Sequence, residues 1–145
     1  MANYESCIRT NYFHVNDPEE FKKYMRRVYG TEDSVELWEE KDSEGKPVFG
    51  FGTMGGIGGV NPEDENADEV EDSDYDTVID DLQTFVADGD AIIILECGHE
   101  KLRYIVGSAL IITKDQCESL DIADLAASQA AKLLGDPSWC TRCEY

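Results

Sequence analysis

The pattern of hydrophobic and polar positions predicts three helices and five strands. Apolar residues recur at helical spacing over residues 18–29, 76–87 and 121–134, which predicts one helix in each range. β-Branched and aromatic residues with partial alternation predict the strands. These cover residues 4–15, 34–41, 47–53, 91–96 and 102–113.

Capping residues mark the ends of the predicted helices. Asp17, Pro18 and Glu20 form a typical helix start, and Gly30 is the expected stop. Asp76 is expected to cap the second helix, and Asp121 or Asp124 the third, which ends at Gly135. The third helix is expected to point its apolar side chains inward: Ile122, Leu125, Ala126, Ala130, Leu133 and Leu134.

The element order predicts an α+β fold. We expect an antiparallel sheet of about five strands with the helices packed on one face, in the order β-α-β-β-α-β-β-α. Turns are expected at 42–45 and 98–101, and the glycine-rich stretch 55–59 is expected to be too flexible for regular structure. A helix followed by a hairpin occurs at both 21–53 and 78–108, which suggests an internal duplication.

The length of 145 residues predicts one domain, covering 1–145, with an acidic loop at about 61–76 and a cysteine-containing tail at 136–145. No apolar run is long enough for a membrane span, and the first residues lack the features of a signal peptide. Five cysteines at irregular spacing are not typical of a disulfide framework. We therefore expect a cytoplasmic protein.

The charge distribution changes this picture most. The chain has 32 acidic and 12 basic residues, a net charge of −20, and residues 47–100 contain no lysine or arginine. Such a field repels nucleic acids and anionic membranes and attracts basic surfaces. We therefore expect a basic protein surface as the partner, with no direct contact to nucleic acid or membrane.

Several segments match only part of a known binding or catalytic motif. Residues 50–55 match G-x-G-x-x-G, but more glycines and an acidic run follow where a phosphate-binding helix should begin. Residues 72–76 resemble the start of an EF-hand loop, but Thr77 and Gln83 occupy positions that need Gly and Glu. The two histidines lie in no nucleophile motif. The sequence therefore predicts no enzyme, no catalytic residue and no cofactor.

Zinc binding is a weaker alternative. Thiolate and imidazole are the ligands that zinc prefers. Two short pairs, one in the tail and one at an expected turn, would have to meet in space: Cys97 with His99, and Cys140 with Cys143. We otherwise expect the tail cysteines to be unpaired thiols.

The acidic segment is the expected binding surface. Residues 63–81 contain 11 carboxylates and no basic residue. Repulsion among these like charges disfavours folding, so folding does not explain the cluster. Binding to a cationic partner would explain it. Tyr75 and Val70 are its expected apolar anchors. The expected partner-binding residues are Glu63, Asp64, Glu65, Asp68, Glu69, Glu71, Asp72, Asp74, Tyr75, Asp76, Asp80 and Asp81.

In size, charge and charge placement the chain resembles the small acidic counter-defence proteins of phages and mobile elements, the anti-CRISPR and anti-restriction DNA mimics. That resemblance implies a non-enzymatic inhibitor of a defence nuclease, such as a Cas nuclease or a restriction enzyme. Two alternatives stay open: a general interaction or immunity protein whose acidity serves only solubility, and a small zinc-binding module.

Overall fold

Eight strands and three helices form an α+β fold in the residues that the computed structural model describes, 4–63, 73–141 and 143. The helices are α1 (Pro18–Met25), α2 (Tyr75–Phe85) and α3 (Ile122–Leu134). The strands are β1 (Glu5–Thr10), β2 (Val28–Gly30), β3 (Glu36–Lys41), β4 (Pro47–Met54), β5 (Ile57–Val60), β6 (Ile92–Glu100), β7 (Tyr104–Ile112) and β8 (Cys117–Asp121).

The strands form two sheets. Six pair in the order β3-β4-β1-β6-β7-β8, and β2 pairs with β5 in a small second sheet. Every pairing is antiparallel. The expected α+β class, the antiparallel sheet and the three helices are therefore confirmed. The expected five strands and their order are wrong, because β2, β5 and β8 were not predicted.

The small sheet arises where a helix end and a flexible loop were expected. The helix α1 stops at Met25, and Val28 and Tyr29 pair with Val60 and Gly59. Both Val and Tyr favour extended backbone, so the chain leaves the helix before Gly30. The glycine-rich stretch is ordered by this pairing, and Gly58 lies directly against the ring of Tyr29.

The predicted caps are mostly confirmed. Asp17 accepts from the backbone N–H of Glu20, Asp121 accepts from two amides of α3, and Gly135 ends α3 in the left-handed region. The second helix is capped by Asp74, not Asp76, because Asp74 and Thr77 exchange side-chain and backbone hydrogen bonds.

The second hairpin is longer than expected. β6 continues through the predicted turn at 98–101 to Glu100, and the chain reverses at Lys101, which has a φ of 48°. β4 and β6 both flank β1, yet β4 is the second strand of its hairpin and β6 is the first of its own. The two helix-hairpin units thus occupy non-equivalent places, and the topology does not support a duplication.

The core lies between one face of the six-stranded sheet, the inner face, and the helices α1 and α2. Its largest fully buried members are Phe13, Phe21, Phe49, Phe51, Leu82, Ile92, Ile94 and Ile112. Phe13 is in edge-to-face contact with Phe21 and Phe51. Burial of such rings is the main favourable term in folding.

The helix α3 lies against the other face of the sheet, the outer face. A side chain at Gly107 would meet Ile122 of α3. Gly107 pairs with Cys97, which is three residues along β6 from the inward-facing Ile94 and therefore faces outward. No residue of α3 is buried, so the expected inward packing of its apolar residues is wrong, and so is the placement of all helices on one face. Among the described residues no helix is long and apolar enough to cross a bilayer.

Candidate functional site

The structure describes half of the predicted acidic surface. Six of its residues are placed: Glu63, Asp74, Tyr75, Asp76, Asp80 and Asp81. The other six lie outside the described residues: Asp64, Glu65, Asp68, Glu69, Glu71 and Asp72. The predicted anchor Val70 lies outside them too. The described part of this surface therefore lies on α2, on Asp74 just before it, and at Glu63.

Two carboxylates of this surface have internal roles. Asp74 caps α2, and its pKa is lowered by the hydrogen bonds that it accepts from Thr77. Asp81 accepts a hydrogen bond of 2.7 Å from the hydroxyl of Tyr24 on α1. The pKa of Tyr24 is raised, first by burial and then by this bond. Asp81 therefore ties α2 to α1.

Tyr75 contributes to the core of its own chain. Its ring packs against the hydrophobic cluster beneath α2. Burial, followed by the charge of Glu96, raises the pKa of Tyr75 to about 12. Much of this ring is therefore used inside the fold rather than offered to a partner.

The described carboxylates left for a partner are Asp76 and Asp80, whereas Glu63 is paired with a cation of its own chain. Asp76 and Asp80 are exposed and lie four residues apart on α2, which places them on one side of the helix. Neither pairs with a cation among the described residues. Glu63 is exposed and lies 3.6 Å from Arg27.

Many of the basic side chains are neutralised within the protein. Lys22 lies 3.0 Å from Glu39, and Lys114 lies 2.8 Å from Asp88. These carboxylates raise the pKa of both lysines. Lys23, Arg27 and Lys46 also lie near carboxylates. The surplus of negative charge therefore remains unbalanced at the surface.

A second feature is an apolar groove between α3 and the outer face of the sheet. Its volume is about 480 Å³, which is within the usual range of ligand or peptide sites. The residues that line it are Cys7, Arg9, Leu95, Glu96, Cys97, Gly107, Ser108, Ala109, Leu120, Ile122 and Leu125. Only Arg9 and Glu96 carry charge, so the groove has no net charge.

Beyond the groove, the outer face is covered by one large ring. Trp38 on β3 lies over Gly50 and Gly52 of β4, where any added side chain would meet it within 3.5 Å. The guanidinium of Arg9 lies 4.9 Å from the centre of this ring. Such a cation–π contact fixes Arg9 at the boundary between the covered part of the outer face and the groove.

A third feature joins three turns through His14. Its Nε2 lies 2.7 Å from Asp42 and its Nδ1 lies 2.8 Å from Asp90. Asp90 also accepts the backbone N–H of His14. These hydrogen bonds raise the pKa of His14, because an imidazole can donate from both nitrogens only when it is protonated. The same bonds help to lower the pKa of Asp42 and of Asp90, although burial of Asp90 opposes this.

The contacts of this histidine cluster indicate a structural role. It fastens the segment after β1 to the β3–β4 turn and to the turn that precedes β6. Both ring nitrogens already face carboxylates, so neither is available to act as a base on a substrate. Sequence reasoning missed the cluster because its members are 28 and 76 residues apart in three separate turns.

The suggested zinc ligands are divided between two places. Cys97 and His99 lie on β6, with His99 3.6 Å from Glu5. Cys143 lies in a separate cleft beside Tyr104 and Asp121. Within the part of the chain that the structure describes, no three His, Cys, Asp or Glu residues are arranged to hold a metal ion.

Comparisons of this chain with protein-family models, with curated proteins and with solved structures found no match.

Proposed function

We propose that this protein is a non-enzymatic inhibitor that binds the cationic, nucleic-acid-binding surface of a nuclease by imitating the charge of DNA. One observation carries the proposal. No basic residue occurs in 63–81, and on α2 the exposed carboxylates Asp76 and Asp80 form no ion pair with any described residue.

The internal contacts define which carboxylates to test. Asp74 and Asp81 hold α2 in place, so neutralising them would confuse binding with folding. The useful binding variant therefore leaves both intact. It carries Asp76→Asn and Asp80→Asn together with Asn or Gln at Asp64, Glu65, Asp68, Glu69 and Glu71.

A matched control removes the same number of charges elsewhere. Exposed carboxylates distant in sequence from this segment supply it: Glu19, Glu20, Glu32, Glu40, Glu44, Glu118 and Asp136. If net charge alone mattered, the two variants would bind equally. If the segment is the surface, only the first loses affinity.

The experiment measures inhibition of DNA cleavage by a panel of Cas nucleases and restriction endonucleases. We expect wild-type protein to inhibit at least one of them, in competition with substrate DNA and less strongly as salt rises. We expect the segment variant to lose about tenfold or more in affinity, mainly through slower association. Equal inhibition by the segment variant and its control, or inhibition unaffected by salt, would refute the charge-mimicry proposal.

A further inference from the structure

The helix α3 exposes large apolar side chains, which is unusual for a protein of such high negative charge. Ile122, Leu125 and Leu133 recur at helical spacing along α3, and all are exposed, Leu133 by 79%. The half-buried residues of the same helix are alanines, among them Ala123 and Ala127. The helix thus lies against its own sheet through its small residues and through part of Ile122, while its large aliphatic residues stay exposed.

This arrangement leaves an apolar surface uncovered. A helix of this length has little stability without a packed apolar face, and a layer of structure normally covers each such face. The groove beside α3 extends the same surface, with Leu95 and Leu120 exposed at its floor and edge. Covering it would remove both the helix stripe and the groove from water.

We infer that a second copy of this chain covers this surface, forming a two-fold symmetric dimer through α3 and the groove. Charge is the first argument. The chain carries −20, so most faces repel their own copy. The residues of α3 include one acidic and one basic side chain, Asp124 and Lys132, and the groove is likewise neutral. This face can therefore meet itself without net repulsion.

Size is the second argument. The nine exposed residues of α3 and the nine groove residues on strands make a face of up to 18 residues. This is close to the lower end of the about 20 to 30 residues that a stable interface uses on each side. In the dimer, Ile122, Leu125 and Leu133 of one copy pack across the groove of the other, and the same contacts repeat about the axis.

The test is the mass in solution over a concentration series, by light scattering or sedimentation. We expect twice the 16.2 kDa of one chain at high concentration and a shift toward monomer on dilution. Leu125→Glu is expected to raise the dissociation constant by about 30-fold or more, as for a central interface residue. Ser34→Glu adds the same charge at an exposed site before β3, at the opposite edge of the sheet, and is expected to leave association unchanged.

Thiol labelling provides a measurement on the unmodified protein. Cys97 is exposed in the single chain and lines the groove. We expect its labelling rate to fall as the concentration rises through the range of dimer formation. A monomer at every concentration up to about 1 mM would overturn the dimer, since an interface of this size should associate well below that range. A dimer whose association is unchanged by Leu125→Glu, or that leaves Cys97 equally reactive, would also overturn this assignment of the interface.

Discussion

The helices α2 and α3 have similar lengths but relate to the sheet in opposite ways. α2 has eleven residues and buries Val78, Ile79 and Leu82 against the inner face. α3 has thirteen residues, is richer in aliphatic side chains, and buries none of them. A periodic apolar pattern therefore identifies a helix and its apolar side, but it does not say whether the same chain covers that side.

The inner and outer regions also differ in how they are fastened. On the inner face, Asp81 and Tyr24 join the two helices, and rings from both helices and the sheet interlock. On the outer face, Gly107 and Ile122 bring α3 close to the sheet, and the groove remains open beside them. We therefore expect substitutions of the same kind to cost much more on the inner side.

The largest expected difference is between two leucines. Leu82→Ala on α2 removes a fully buried side chain and should lower the free energy of unfolding by about 2 to 5 kcal/mol. Leu133→Ala on α3 removes an exposed one and should change it by about 0.5 kcal/mol or less.

Urea unfolding of both variants checks this difference. The protein is kept dilute, below about 1 μM, so that stabilisation by association is small. A similar loss for the two leucines would show that α3 is packed as firmly as α2. That result would remove the contrast between the two faces.

Two glycines on the outer face extend the comparison at a smaller scale, because Gly52 lies beneath Trp38 and Gly107 lies beneath α3. A methyl group at Gly52 would come within 2.7 Å of the carbonyl oxygen of Ile8, which is backbone and cannot move aside. A methyl group at Gly107 would come within 2.8 Å of Cγ2 of Ile122, the end of a side chain on the loosely held α3. We expect Gly52→Ala to cost about 1 to 3 kcal/mol.

Gly107→Ala should cost less than about 1 kcal/mol, because the strand also gains by losing a glycine. The same urea measurement distinguishes the two glycine variants. If Gly107→Ala proves as costly as Gly52→Ala, Ile122 is held rigidly and α3 is not free to adjust.

The parts of the fold that sequence predicted correctly are those fixed by local chemistry. Asp17 and Pro18 begin α1, Gly135 ends α3, and the hairpin of β3 and β4 closes at its predicted turn. Each depends on residues close together in the chain. The strand β5 was missed because 55–59 contains four glycines, and local propensity there disfavours a strand that tertiary pairing imposes. The strand β2 was missed because the predicted first helix was extended through residues 28 and 29.

The site was predictable only in part, for a related reason. Uncompensated charge in 63–81 is visible in composition, but the use of Asp81 by Tyr24 depends on how α1 packs against α2. The groove depends on α3 crossing to the outer face, and no pattern within α3 specifies that choice. His14, Asp42 and Asp90 meet only because three turns come together in space.

The smallest expected effect concerns those three turns. The folded pKa of His14 is raised, so its contribution to stability is full below about pH 6.5, its unfolded value, and declines as the pH rises through the folded pKa. The folded pKa values of Asp42 and Asp90 are lowered. Their contribution is full above about pH 3.9 and declines as the pH falls through the folded values.

The cluster therefore stabilises the fold most between about pH 4 and pH 6.5. We expect His14→Gln to lower the Tm by a few degrees in this window and by less at alkaline pH, where wild-type His14 is neutral as well. His99→Gln is the matched control, because His99 is more exposed than His14 and has one carboxylate at 3.6 Å rather than two within hydrogen-bonding distance.

Melting curves by circular dichroism at pH 5.5 and pH 9 measure both variants, with Glu44, Lys46 and Asp88 in the same cleft left unchanged. An equal loss of Tm for His14→Gln at both pH values would contradict this prediction. Packing alone would then hold the three turns together, and the ion pairs at His14 would not contribute to the stability of the fold. A deficit confined to the acidic side identifies the protonated imidazole as the group that holds these turns together.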